Sequence, residues 1–190
     1  VVERIKSIIN IYDSNYTMRR SEFVGPTISS ELLQKGIMAL LISFAAILLY
    51  ITLRFNFSFG LGAVIALIHD IILSFGFYSI FQIEFNLTSI AALLTIIGYS
   101  INDSVVIFDR IRENMRKYKS LAIEEILNRS INENLVRTIL TSATTLLALI
   151  SLAVLGGSVL KSFSLGVLFG VVIGTYSSVF IASPILQNSN

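Results

Sequence analysis

Apolar positions run along this chain in five stretches of membrane-spanning length. Gly36–Leu53 carries no charge, Gly60–Phe81 holds Asp70 alone and Leu87–Phe108 holds Asp103 alone, while Ile139–Leu155 and Ser162–Pro184 hold none. A hydrocarbon core about 30 Å thick is crossed by about 20 apolar residues in a helix. The pattern therefore predicts spans at about 36–53, 60–81, 87–108, 139–155 and 162–184. Short connections are expected at Arg54–Phe59, Gln82–Asn86 and Gly156–Lys161, and one long charged connection from Asp109 to about Thr138. Within it, about 110–129 reads as an amphipathic helix, with Ile111, Met115, Leu121, Ala122, Ile126 and Leu127 on its apolar side.

The first residues follow another pattern. Val2–Tyr12 is helical in period, Tyr16–Val24 suits a short strand, and Gly25-Pro26 is a turn signal. One helix and one strand bury no core alone. Residues 1–30 are thus expected to be the α/β end of a truncated domain outside the membrane, 31–186 the transmembrane domain and 187–190 a tail. Val1 with no signal-peptide pattern after it suggests the later part of something longer.

Composition sharpens the class. Only 14% of the 190 residues are charged, against about 25% in a soluble domain, and residues 138–190 contain Lys161 alone among them. That distribution excludes a soluble globular protein and predicts an all-α polytopic membrane protein. A net charge of +2 is too small to argue for nucleic acid, and the absence of cysteine with a single histidine argues against a metal site. No cofactor is expected. Arg54, Arg110, Arg112, Arg116, Lys117, Lys119, Arg129 and Arg137 fall on one side of the predicted topology, with Arg19, Arg20, Lys35 and Lys161 opposite. The positive-inside rule then puts the charged connection and the carboxyl terminus in the cytoplasm and the amino-terminal segment outside.

An ionisable side chain at bilayer depth costs about 2.5–3.5 kcal/mol on insertion scales, so each one calls for a reason. Asp70 lies near mid-span, about 15 Å from either end, and Asp103 lies about 8 Å in from the cytoplasmic end. Arg137 stands at the entrance of the fourth span at similar depth. Thr141, Thr144, Thr145, Ala148 and Ser151 follow Arg137 on one helix face, a polar stripe suited to interhelical hydrogen bonds or a thin water file. An Asp–Arg pair suits a proton relay, because protonating the Asp removes the attraction and leaves the Arg needing another partner. His69 and Asp70 point about 100° apart on a helix, which argues against simple pairing and leaves helix packing or an additional relay role open. Gly166, Gly170 and Gly174 recur every fourth residue, with Ser177 next on that face, a spacing that allows close helix packing.

The run Ala66-Leu67-Ile68-His69-Asp70, the long run from Gly98 to Asn114 (GYSINDSVVIFDRIREN), Val24-Gly25-Pro26, Arg137 with Thr141-Ser142, and Gly174-Thr175-Tyr176-Ser177-Ser178 together resemble the SecF family, one half of the SecD/SecF pair of the bacterial Sec preprotein translocase. The resemblance covers nearly the whole chain from Val24 on. It implies a five-span half-bundle of the resistance-nodulation-division type in the bacterial inner membrane. It further implies no enzyme activity but a protein-export role, driven by the proton gradient, with SecD, a SecYEG-type channel, unfolded preprotein on the periplasmic side and membrane lipid as partners. In that family the residues matching Asp103 and Arg137 form the proton-linked pair of this half, and a further Asp comes from SecD. Ser104 stands where Thr is usual.

Other classes fit less well. An intramembrane aspartyl protease needs GxGD where this chain has Ser100-Ile101-Asn102-Asp103. A proton-driven small-molecule or lipid exporter of the same superfamily normally has large periplasmic domains in one long chain. A purely structural assembly subunit would not need Asp103 to titrate.

Overall fold

The structure is a computed structural model that describes residues 26–186. The expected helix Val2–Tyr12, the strand Tyr16–Val24 and the tail 187–190 lie outside the described residues. The chain divides into two compact units, Val1–Lys35 and Gly36–Asn190, and the second carries every feature below. All the described elements are helical: α1 (Pro26–Arg54), α2 (Phe57–Ile80), α3 (Leu87–Lys117), α4 (Ile123–Leu155), α5 (Gly157–Ser177), a π-helical turn (Ser178–Ala182) and a last turn α6 (Ser183–Ile185).

Five of these segments are long and apolar enough to cross a membrane. Two helices continue past the predicted apolar runs. α3 extends to Lys117, and α4 starts at Ile123, well before its apolar run at Ile139. The separate amphipathic helix expected over about 110–129 is therefore not formed, and the chain instead turns at Tyr118–Ala122. The charged segments on either side consist largely of good helix formers, so nothing ends the helices at the membrane edge. Basic Arg116 and Lys117 close α3, and acidic Glu124 and Glu125 open α4, each matching the helix dipole.

The connections are tighter than expected. α1 and α2 are separated by Phe55 and Asn56 alone, and α4 passes to α5 at Gly156 rather than through a Gly156–Lys161 loop. Gly157 has φ +73°, a conformation a side chain would strain. Before α3, Asn86 closes a capping box: its Oδ1 accepts from the backbone N–H groups of Thr88 and Ser89, and Ser89 Oγ accepts from the Asn86 N–H.

α3 and α5 form the centre, with α2 and α4 packed against both. Between α3, α4 and α5 sit Ala92, Leu149, Val167 and Val171. Leu40 of α1 joins Leu67, Ile71, Leu93, Ile96 and Ile97 in a second cluster. Nearer the charged connection, the rings of Phe55, Phe59 and Phe108 meet at 5.1–6.0 Å between centroids, stacked and edge-on, an arrangement that favours aromatic contacts beyond area burial alone. The outer faces of α1 and α4 stay apolar and exposed, with Leu41, Leu49, Leu53, Leu147 and Val154 among the side chains there. Such faces suit lipid or another apolar helix rather than water.

Candidate functional site

Gly166, Gly170 and Gly174 face the Tyr78 hydroxyl, the Ile96 side chain and Ser100 respectively, so a methyl group at any of them meets atoms of α2 or α3. This close approach of α5 brings Ser177 to a carboxylate on α2. Asp70 is fully buried, and its Oδ2 accepts hydrogen bonds from Ser100 Oγ of α3 at 2.6 Å and Ser177 Oγ of α5 at 2.8 Å. Three helices thus share one carboxylate oxygen. Its other oxygen, Oδ1, lies 3.3 Å from His69 Nδ1. His69 and Asp70 therefore do meet, contrary to the expectation from helical spacing. The 100° between neighbouring positions separates the directions in which the side chains leave the backbone and does not keep their heads apart.

A second polar junction lies beside it. Ser142 Oγ of α4 and Thr175 Oγ1 of α5 are 2.7 Å apart, and Tyr99 OH of α3 donates to Ser142 Oγ at 3.4 Å. From sequence Ser100, Tyr99 and Thr175 stand out only as members of the family-like runs, with no role of their own. The signal for Ser100 is its position three residues before Asp103, on the same helix face.

Asp103 lies next along that face. It is 4% exposed, and its Oδ2 is buried with no hydrogen-bond partner among the described residues. Arg137 is close enough for its charge to act on Asp103, yet no ion pair joins them among the described residues. Arg137 lies exposed on α4. The stripe that follows it is turned outward too: Thr141, Thr144 and Ser151 are exposed, and Thr145 is half-buried. Their hydroxyls donate to carbonyls of their own helix, Thr141 to Arg137 O at 2.5 Å, Thr144 to Leu140 O at 3.0 Å, Thr145 to Thr141 O at 2.9 Å and Ser151 to Leu147 O at 2.9 Å. The chain therefore presents a buried carboxylate with an unpaired oxygen beside an outward-facing cation.

Past the apolar spans, α3 and α4 are clamped by charge. Glu133 accepts from Arg110 Nε at 2.7 Å, Arg129 Nε at 3.0 Å and the buried Asn114 Nδ2 at 2.8 Å. These hydrogen bonds, Asn114's foremost, pull the Glu133 carboxyl down to about 2. Arg54 reaches Asp109 Oδ1 at 2.9 Å, tying α1 to α3. Among the described residues no three metal-ligating side chains come together.

The family described as "Protein export membrane protein SecD/SecF, C-terminal" matches residues 4–190. A "Protein translocase subunit SecF" from Rickettsia bellii (strain OSU 85-389) is 57% identical over 186 residues, covering 97% of this chain and 61% of the relative. One from Rickettsia akari (strain Hartford) is 55% identical, covering 97% and 60%. The chain thus spans about three fifths of the length of the curated relatives it matches. A crystal structure of SecDF in a super-membrane-facing form superposes with a TM-score of 0.82 at 40% identity, covering 98% of this chain and 26% of that one. The helix bundle is accordingly the five-span half-bundle that the resemblance implies. With the family matched along almost all of its length, the chain belongs to the SecD/SecF family of protein-export membrane proteins.

Proposed function

We propose that this chain is the membrane half of a SecF-type translocase subunit, which works beside SecD to turn proton flow into preprotein movement across the bacterial inner membrane. In this reading Asp103 is the proton-accepting group and Arg137 its electrostatic counterpart. The observation that carries it is Asp103 Oδ2, buried and without a hydrogen-bond partner beside a nearby cation that does not pair with it. A buried carboxylate oxygen left unpaired costs about 1–3 kcal/mol or more. Taking up a proton lowers that cost, and releasing it restores the attraction to Arg137.

The outward Arg137–Thr141–Thr144 face supports an association with SecD. Arginine and hydroxyls at bilayer depth favour a partner helix or a water-lined seam over lipid. An acidic residue of SecD at that seam would give Arg137 a second counter-ion to alternate with Asp103. Thr141 and Thr144 then line the path, and His69 with Asp70 keeps α2, α3 and α5 in register around it. The motion passes along α1 to the segment outside the membrane, which grips or releases preprotein emerging from a SecYEG-type channel. Each charge crossing 100 mV yields about 2.3 kcal/mol, enough to bias such a step. The orientation that goes with this has the amino-terminal segment periplasmic and the Arg110–Arg129 end cytoplasmic.

The test is Asp103→Asn in the full-length subunit. Loss of gradient-dependent export stimulation with SecD assembly intact supports the reading. Undiminished export identifies a scaffold, and stimulation that persists after the proton gradient is collapsed also overturns the reading.

A further inference from the structure

The charged end of the bundle holds a cleft that the proton-linked residues do not use. It measures about 410 Å³ and is lined by Arg54, Asp109, Arg112, Glu113, Arg116 and Lys117, four cations against two carboxylates. Both carboxylates have partners, Asp109 in Arg54 and Glu113 in Arg110. No ion pair joins Arg112, Arg116 or Lys117 to a carboxylate among the described residues. Arg112 instead donates from Nη1 to the backbone oxygen of Arg54 at 3.1 Å and lies 5.8 Å over the Phe55 ring, while Lys117 lies 5.2 Å over the Tyr118 ring. The lining of the cleft therefore carries a surplus of positive charge.

Its position sets what can fill it. Arg54 ends the apolar helix α1, and α3 leaves its apolar run at Phe108, one residue before Asp109. The cleft therefore opens at headgroup level, where apolar surface gives way to charge. On the apolar side Leu53, one residue before Arg54, is 78% exposed, and Tyr50, one turn before Arg54 on α1, and Phe57, at the start of α2, are also exposed. A free anion would use the guanidinium groups and leave these side chains uncovered. A phospholipid uses both: its phosphodiester meets the planar donors of Arg112 and Arg116 while its acyl chains lie along Leu53 and Tyr50.

We propose that this cleft is a binding site for an anionic phospholipid, holding the phosphodiester between the end of α1 and the charged extension of α3. Basic pockets between membrane helices recognise anionic headgroups, and each Lys or Arg near the membrane surface contributes about 1 kcal/mol, about fivefold in affinity. The site is separate from Asp103 and Arg137, so it stands whether or not the proton reading does.

The experiment counts lipid bound to the full-length subunit in mild detergent by native mass spectrometry, adding phosphatidylglycerol or phosphatidylcholine. Phosphatidylglycerol is expected to bind at least fivefold more tightly. The triple variant Arg112→Gln, Arg116→Gln, Lys117→Gln is expected to lose that preference, with phosphatidylcholine binding unchanged. Arg116→Gln alone, at an exposed position outside any ion pair, keeps the test open if the triple variant does not fold, and should weaken phosphatidylglycerol binding about fivefold. Lys119→Gln, outside the cleft, should leave it unchanged. Equal binding of the two lipids, a preference that survives both cleft variants, or displacement of phosphatidylglycerol by millimolar inorganic phosphate would overturn the assignment.

Discussion

Ser100 of α3 donates its hydroxyl hydrogen to Asp70 of α2 across 2.6 Å, with both side chains buried. Ser177 of α5 donates to the same oxygen, so the carboxylate at mid-span is a joint between three helices. Asp103, one helical turn beyond Ser100, inherits its position from that joint.

Removing the acceptor should therefore cost more than removing one donor. Ser177→Ala takes away one of the two donors to Asp70 Oδ2, along with the longer contact to Gly174 O, and is expected to destabilise the detergent-solubilised chain by about 1–3 kcal/mol. Asp70→Ala, which leaves the Ser100 hydroxyl without its acceptor, should cost more, and Asp70→Asn, which keeps a carbonyl oxygen there, should recover most of the loss. Equilibrium unfolding of the three variants checks the order.

The α3–α5 contact at Gly170 leaves no room for a methyl group, because Ile96, fully buried, already occupies that space. Gly170→Ala is expected to cost about 1–3 kcal/mol through overpacking. Ile96→Ala opens a cavity and should cost about 2–5 kcal/mol alone. Combined, the two should cost less than their sum, with a coupling of about 0.5–3 kcal/mol from a double-mutant cycle. Strict additivity would mean that the helices separate rather than overpack.

Glu133 gives the charged corner an acid sensitivity. Its carboxyl titrates near 2 in the folded chain, against about 4.3 when unperturbed. The native state thus binds this proton more weakly than the unfolded one. The stabilisation is complete above about pH 4.3 and is lost as the pH falls toward 2. Hydrogen-exchange protection factors in residues 109–137 should fall over that window, after correction for the intrinsic pH dependence of exchange, and Glu133→Gln should flatten this component.

If the proposed proton-linked role of Asp103 holds, Asp103→Asn leaves the bundle and the proposed SecD association intact while abolishing the gradient-dependent part of export. The substitution keeps the size of the side chain and removes only its ability to titrate. Export by reconstituted membranes, with and without a proton gradient, is the measurement.

The apolar runs alone determined the number of spans and their approximate places, because a continuous apolar run of about 20 residues satisfies its backbone in a bilayer as a helix whose length the membrane thickness fixes. The same runs made Asp70, Asp103 and Arg137 stand out, since each breaks a rule the rest of the chain obeys. Helix ends were less legible: α3 runs to Lys117 and α4 starts at Ile123, since charged residues continue a helix as readily as apolar ones. Only the tertiary structure decided which polar residues meet. Ser100 and Ser177 lie 30 and 107 residues from Asp70, and their shared oxygen follows from how closely Gly166, Gly170 and Gly174 let α5 approach. Helical period places a residue on a face, whereas the crossing of the helices decides what that face touches. For that reason the sequence singled out both carboxylates, and the packing made Asp70 a joint and left Asp103 with an oxygen unpaired.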